Sequence, residues 1–137
     1  MAIDTAICNS YKQEILEGVH ASTDTYKVAL YTDAATLGAA TTAYSTSNEV
    51  SGTGYTAGGL TLAGFSSGLS NGTAYLTFTD PQWTNATITA RGCLIYNSSK
   101  SDKAIASYDF GENVTSVNGT FTVDFPGTGA ASLIRIA

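Results

Sequence analysis

Gly52, Gly54 and Ala57 in the stretch VSGTGYTAGGLTL satisfy the G-x-G-x-x-[GA] spacing with which a dinucleotide-binding turn presents backbone N–H groups to a pyrophosphate. That chemistry needs a strand feeding the turn and a helix leaving it. Here Gly58-Gly59 and the alternation Leu60-Thr61-Leu62 follow, which disfavour a helix start, and no Lys-Ser or Lys-Thr completes a P-loop. The glycines are expected instead to permit positive φ and close backbone approach as the chain enters a strand. His20 is the only histidine, so a Ser-His-Asp triad would have to use it. It follows directly on a predicted helix end, where an imidazolium complements the helix dipole. Asp80, Asp102, Asp109, Glu112 and Asp124 supply carboxyls for glycoside hydrolysis only if two of them meet in space, and none carries a supporting motif. Cys8 and Cys93 lack the CxxC or Cys/His company of a zinc site and are expected as buried free thiols. No catalytic, cofactor-binding or metal-ligating residue is assigned, and no enzymatic activity is expected.

The elements that position these residues are mostly strands. In TAICNSYKQEILEGVH, Ile7, Tyr11 and Ile15 recur every four residues, Asp4 or Thr5 can cap the start and Gly18 offers a stop. This predicts one amphipathic helix over about 4–17, which either covers a sheet or docks a partner. From about residue 25 to 136 the chain alternates at period two between turn signals, in TYKVALYT, GLTLAGF, AYLTFT, ATITA, RGCLIYN, KAIASYDF, FTVDF and LIRI. About eight short strands rich in Thr, Tyr and Phe predict a mainly β chain, a two-layer antiparallel β-sandwich of jelly-roll-like or immunoglobulin-like kind, in a single domain over 1–137. Asn71, Asn85, Asn97, Asn113 and Asn118 all begin N-x-[ST] sequons, but read better as turn residues. Asn71-Gly72 and Asn118-Gly119 have hairpin chemistry.

Between Asp33 and Gly59 the pattern lapses. A long loop over about 33–59 inside a compact domain is uncommon unless it binds something. Leu37, Tyr44, Val50 and Tyr55 anchor it and are the candidate interface residues, with Tyr44 and Tyr55 the aromatic anchors.

Composition excludes several partners. Only 12% of the 137 residues are charged, about half the usual fraction, and the net charge of -5 leaves no basic patch for nucleic-acid phosphates or anionic lipid. No stretch approaches the ~20 apolar residues of a membrane span, and the first residues lack the basic start and apolar run of a secretory signal.

The stretches AICNSYKQEILEGVH, DTYKVALYTDAATLG, TTAYSTSNEVSGTGYTAGG, ARGCLIYNSSKSDKAIASYDFG and FTVDFP, in that order and over nearly the whole chain, resemble a group of small virion proteins of tailed bacteriophages. In size the chain resembles the head decoration or cement proteins, which bind the outer capsid surface as oligomers and clamp neighbouring major-capsid subunits. The resemblance implies a non-catalytic virion protein, made in the host bacterial cytoplasm, whose partners are the major capsid protein and further copies of itself. Two other readings stand beside it: a tail, neck or fibre-associated adaptor or host-recognition module, and a carbohydrate-binding β-sandwich. The former predicts few copies per particle, the latter a groove of solvent-facing aromatics.

Overall fold

The computed structural model describes residues 2–125 and 133–136; Pro126, which closes the FTVDFP stretch, lies outside them. In chain order the elements are β1 (Ala6–Ile7), α1 (Asn9–Leu16), β2 (Tyr26–Tyr31), β3 (Leu60–Thr61), β4 (Ser66–Ser70), β5 (Thr73–Thr77), β6 (Gln82–Asn97), a 3-10 turn (Ser98–Lys100), β7 (Lys103–Thr122) and β8 (Ile134–Ile136). They form two antiparallel sheets, ordered β1-β7-β6-β2-β3 and β4-β5-β8, the arrangement of a β-sandwich with one helix near the N-terminus.

Strand β2 explains the layering. Its residues Tyr26, Val28, Ala29, Leu30 and Tyr31 are all buried, so both of its faces are covered. On one face Tyr26 meets Phe65 and Phe78 of the smaller-sheet region at ring separations of 5.7 and 5.5 Å. On the other, the Tyr31 hydroxyl donates to the Ser45 carbonyl at 2.6 Å. The 33–59 segment is therefore a third layer over the larger sheet. An alternating pattern predicts one wet face, and β2 has none because an irregular segment does the work of a second sheet.

Two long strands replace four short ones. ATITA and RGCLIYN fuse into β6, and KAIASYDF is joined through the intervening residues to Phe121 and Thr122, the first two residues of FTVDF, along β7, with register shifts between Trp83 and Ala86, Ala86 and Ile88, Ala90 and Gly92, and Ile95 and Tyr96. Bulges bend the ribbon without ending it. Asn85 and Asn118 supply left-handed backbone inside it, at φ 50° and 48°. This corrects the expectation for Asn118-Gly119, which lies within β7 where the Thr87 hydroxyl accepts from the Asn118 N–H, and is no hairpin turn. Asn71-Gly72 does close the β4–β5 hairpin, and the NSSKSD stretch closes β6–β7 through the 3-10 turn.

The helix is shorter than the 4–17 expected. Residues before Cys8 are extended because their backbone is taken by neighbours: Asp4 N–H donates to the Leu37 carbonyl, Cys8 N–H to the Ile105 carbonyl, and Ala6 and Ile7 pair with β7. Ile7 is thus a strand residue, and neither Asp4 nor Thr5 caps α1, whose N-cap Cys8 makes no side-chain hydrogen bond. The C-terminal end follows expectation. Gly18, at φ 71°, donates to the Ile15 carbonyl while Val19 N–H reaches the Glu14 carbonyl, the paired bonds of a Schellman stop. Cys8 and Cys93 are buried and free, and burial raises their thiols to about 11 and about 12.

Candidate functional site

The 33–59 segment is ordered by the edge of β2 it completes. β3 pairs with β2 only at Lys27 and Val28, leaving the Leu30 backbone open. Val50 N–H donates to the Leu30 carbonyl at 2.9 Å, and the Leu30 N–H donates to the Tyr55 hydroxyl at 2.9 Å. Loop residues thus satisfy groups that a β3 extended by two residues, to Gly58, would have met.

Glu49 ties that edge together. The Tyr44 hydroxyl donates to its Oε1 at 2.6 Å, while the Tyr55 hydroxyl at 2.5 Å and the Gly58 N–H at 2.8 Å both donate to Oε2. Tyr44 stacks on Tyr96 with ring centroids 4.6 Å apart, and the Tyr96 hydroxyl donates to the Gly58 carbonyl at 2.6 Å. Burial, reinforced by hydrogen bonding to the carboxylate, holds the Tyr44 and Tyr55 phenols well above their ordinary range; burial raises Tyr96 to about 12. These tyrosines remain protonated donors at any physiological pH.

Of the four residues expected at an interface, none offers a free side chain. Leu37 and Val50 are buried at 8% and 4% exposure, and Tyr44 and Tyr55 are half-buried against the core. Leu37 also exchanges backbone bonds with Ala2 and Asp4. The excursion's anchors point inward, because a segment without regular secondary structure must obtain its burial and its hydrogen bonds from the sheet beneath it. Sequence reasoning passed over Glu49. Its signal was available: it is the one charged residue between Asp33 and Asp80, and it stands between two tyrosines.

The glycines of this segment follow the backbone, as their spacing predicted. At Gly54, φ 86°, a Cβ would stand 2.7 Å from Ala86 Cα; at Gly59, φ 79°, it would overlap the Val28 carbonyl oxygen. Both approach strand backbone too closely for any side chain.

His20 lies two residues past the Gly18 stop of α1. Its ring is buried in a polar cluster, with Nε2 2.9 Å from Glu14 Oε1 and Nδ1 2.9 Å from Asn97 Nδ2. The amide can only donate, so Nδ1 accepts and Nε2–H donates to the carboxylate. Asn97 also donates to Asp24, whose carboxyl is held well below the usual range first by Lys100, 2.7 Å away, then by the Ala21 N–H and the Asn97 amide. Among the described residues no serine or cysteine nucleophile bonds to His20, whose ring nitrogens meet Glu14 and Asn97, and the cluster's chemistry is that of a clamp between the α1–β2 connection and the β6–β7 turn. Of the carboxyls that hydrolysis would need, Asp109 binds Arg91 at 2.8 Å and Asp80 accepts from Phe125 N–H.

No protein-family model, no curated protein and no solved structure matches this chain.

What remains outward is the ribbon. Along the first half of β6, Trp83, Ala86, Ile88 and Ala90 are buried while Thr84, Asn85, Thr87 and Thr89 are exposed, and β7 from Glu112 to Thr115 is exposed opposite them. Thr89 and Thr115 hydroxyls meet across the strands at 2.9 Å, and Thr87 meets Asn118. Val117 is 70% exposed beside them. The result is a hydroxyl-bearing face on a bulged ribbon, bordered by the internally neutral ion pair of Arg91 with Asp109. No helix of the described residues is long and apolar enough to cross a membrane.

Proposed function

We propose that this chain is a structural protein of a tailed-bacteriophage particle, a head decoration or cement protein that binds the outer capsid surface and clamps neighbouring major-capsid subunits. The observation that supports this reading is the Thr87, Thr89, Thr115 face of the β6–β7 ribbon. A sheet face with hydroxyls already bonded across the strands loses little side-chain freedom on docking, because β-branched threonine has few rotamers to surrender. It can meet polar protein backbone without desolvating a full charge. Weak docking of this kind suffices where many identical copies are bound, since repetition over a lattice adds avidity to each contact. The resemblance to small phage virion proteins points the same way, and the net charge of -5 keeps such a surface protein off the packaged nucleic acid.

The test is co-sedimentation of the purified chain with capsids that lack it. The wild-type chain is expected to saturate at a fixed ratio to capsid subunits. A Thr89→Asp, Thr115→Asp double variant, which places two charges on the face and touches no core residue, is expected to bind at least ~10-fold more weakly with its folded spectrum unchanged. Equal binding by the variant removes the ribbon as the docking face; no binding by either chain contradicts the capsid reading.

A further inference from the structure

Among the described residues, strand β4 is an open edge with none of the usual protections: it lies at the end of the smaller sheet and pairs only with β5. Natural edge strands are blunted by lysine, proline, bulges or extreme shortness. β4 reads Ser66-Ser67-Gly68-Leu69-Ser70, five residues in unbroken register with β5, and Leu69 is 73% exposed. The other edges are managed: β3 has two residues and is continued by Val50 and Tyr55, β1 has two and is flanked by the Leu37–Ala39 backbone, and β8 has three and carries Arg135.

We propose that β4 is a self-pairing strand through which two copies of the chain join their smaller sheets into one continuous antiparallel sheet. The register follows from the hairpin. Asn71 and Gly72, at φ 50° and 82°, make a two-residue turn with both central residues left-handed, so Ser70 and Thr73 flank it as a hydrogen-bonded pair. Alternation then turns Gly68 and Ser66 toward β5 and leaves the N–H and C=O groups of Ser67 and Leu69 facing the open side. An antiparallel second copy pairs Ser67 with the partner's Leu69, and Leu69 with the partner's Ser67, for four backbone hydrogen bonds. Gly68 falls on the two-fold axis opposite the partner's Gly68.

Two observations favour a second copy as the occupant. The axis position is a non-hydrogen-bonded pair, where side chains crowd most, and there the chain has glycine, which its own sheet also requires because a Cβ on Gly68 would stand 2.5 Å from the Tyr75 hydroxyl. Charge decides the rest. Two copies at net charge -5 repel, yet between Glu49 and Asp80 the chain carries no charged residue at all, so the β4–β5 hairpin is where like-charged copies approach without opposition. A strand pairing with itself needs that neutrality, whereas one built for a different partner would use charge to select it.

This inference rests on the strand alone and holds or fails independently of the capsid reading. The experiment is sedimentation equilibrium of the purified full chain over a concentration series. The wild-type chain is expected to be a dimer, and Leu69→Lys, which places a like charge on each side of the axis, to be monomeric at concentrations about tenfold above the wild-type dissociation constant. Ser67→Pro, which removes an outward N–H that β5 does not use, is expected to do the same. Val117→Lys on the ribbon is the control and is expected to remain dimeric. Circular dichroism of each variant distinguishes a lost interface from a lost fold. A wild-type chain that stays monomeric, or a dimer untouched by both β4 variants, overturns the proposal. So does a monomer whose β4 amides gain exchange protection only when another protein binds, which would assign the edge to that protein.

Discussion

Replacing Glu49 with alanine is expected to lower the unfolding free energy by about 3–5 kcal/mol, the range for a carboxylate whose loss strands several partly buried donors. The carboxylate accepts from two phenols and one backbone N–H, and each bond is of the charge-assisted kind. Truncation leaves the Tyr44 and Tyr55 hydroxyls and the Gly58 N–H without it. Tyr55 would still accept from Leu30, so β2 keeps that bond while the loop loses its tie. Glu49→Gln discriminates between charge and shape: it keeps one acceptor oxygen and is expected to cost roughly half as much. Urea titration followed by tyrosine fluorescence measures both. A loss below about 1 kcal/mol for the alanine variant would show that the segment is held by Tyr44–Tyr96 stacking and backbone bonds without need of the carboxylate.

Gly59→Ala is expected to cost about 4 kcal/mol or more and to reduce the yield of folded protein. Two penalties add. The φ of 79° is unfavourable for any residue with a Cβ, by roughly 1–2 kcal/mol, and the new methyl would overlap the Val28 carbonyl. Val28 is fully buried in β2 and held between two strands, paired with Ile95 of β6 and Leu60 of β3, so it cannot retreat. Gly18→Ala is the comparison. Its φ of 71° is similar, but a Cβ there meets nothing within 4 Å, so only the conformational penalty of about 1 kcal/mol is expected. Thermal unfolding of the pair separates strain from overlap, and equal losses would contradict the close approach.

What the sequence made legible was local. Asn71-Gly72 specifies its hairpin because both residues accept left-handed backbone, and Gly18 specifies a helix stop for the same reason. The two sheets follow from period-two alternation, which is a property of neighbouring residues. The helix start failed because Asp4 to Cys8 are claimed by partners more than thirty residues away in sequence, and no cap chemistry competes with a strand pairing. The fused strands were missed because the predicted segments stop at Ala90 and at Phe110, where the irregularity is a register shift inside a continuous ribbon, Ala90 pairing with Val114 and Gly92 with Asp109.

The segment from 33 to 59 was legible only as an anomaly. Its bulky residues marked it as anchored, and whether the anchors faced a partner or the chain's own sheet depended on tertiary partners such as Tyr96 and Leu30. The outward ribbon face was hidden because threonine suits either face of a strand. The hydroxyls of Thr89 and Thr115 become a surface only once Trp83, Ile88 and Ala90 are known to point inward.

Quantitative mass spectrometry of purified phage particles whose genome encodes this chain counts its copies per major-capsid subunit. A ratio near one, or a simple fraction such as about one-third, is expected, as periodic binding over a symmetric shell requires. A handful of copies per particle would contradict the decoration reading and move the chain to the tail or neck, and its absence from the particle would contradict a virion role altogether.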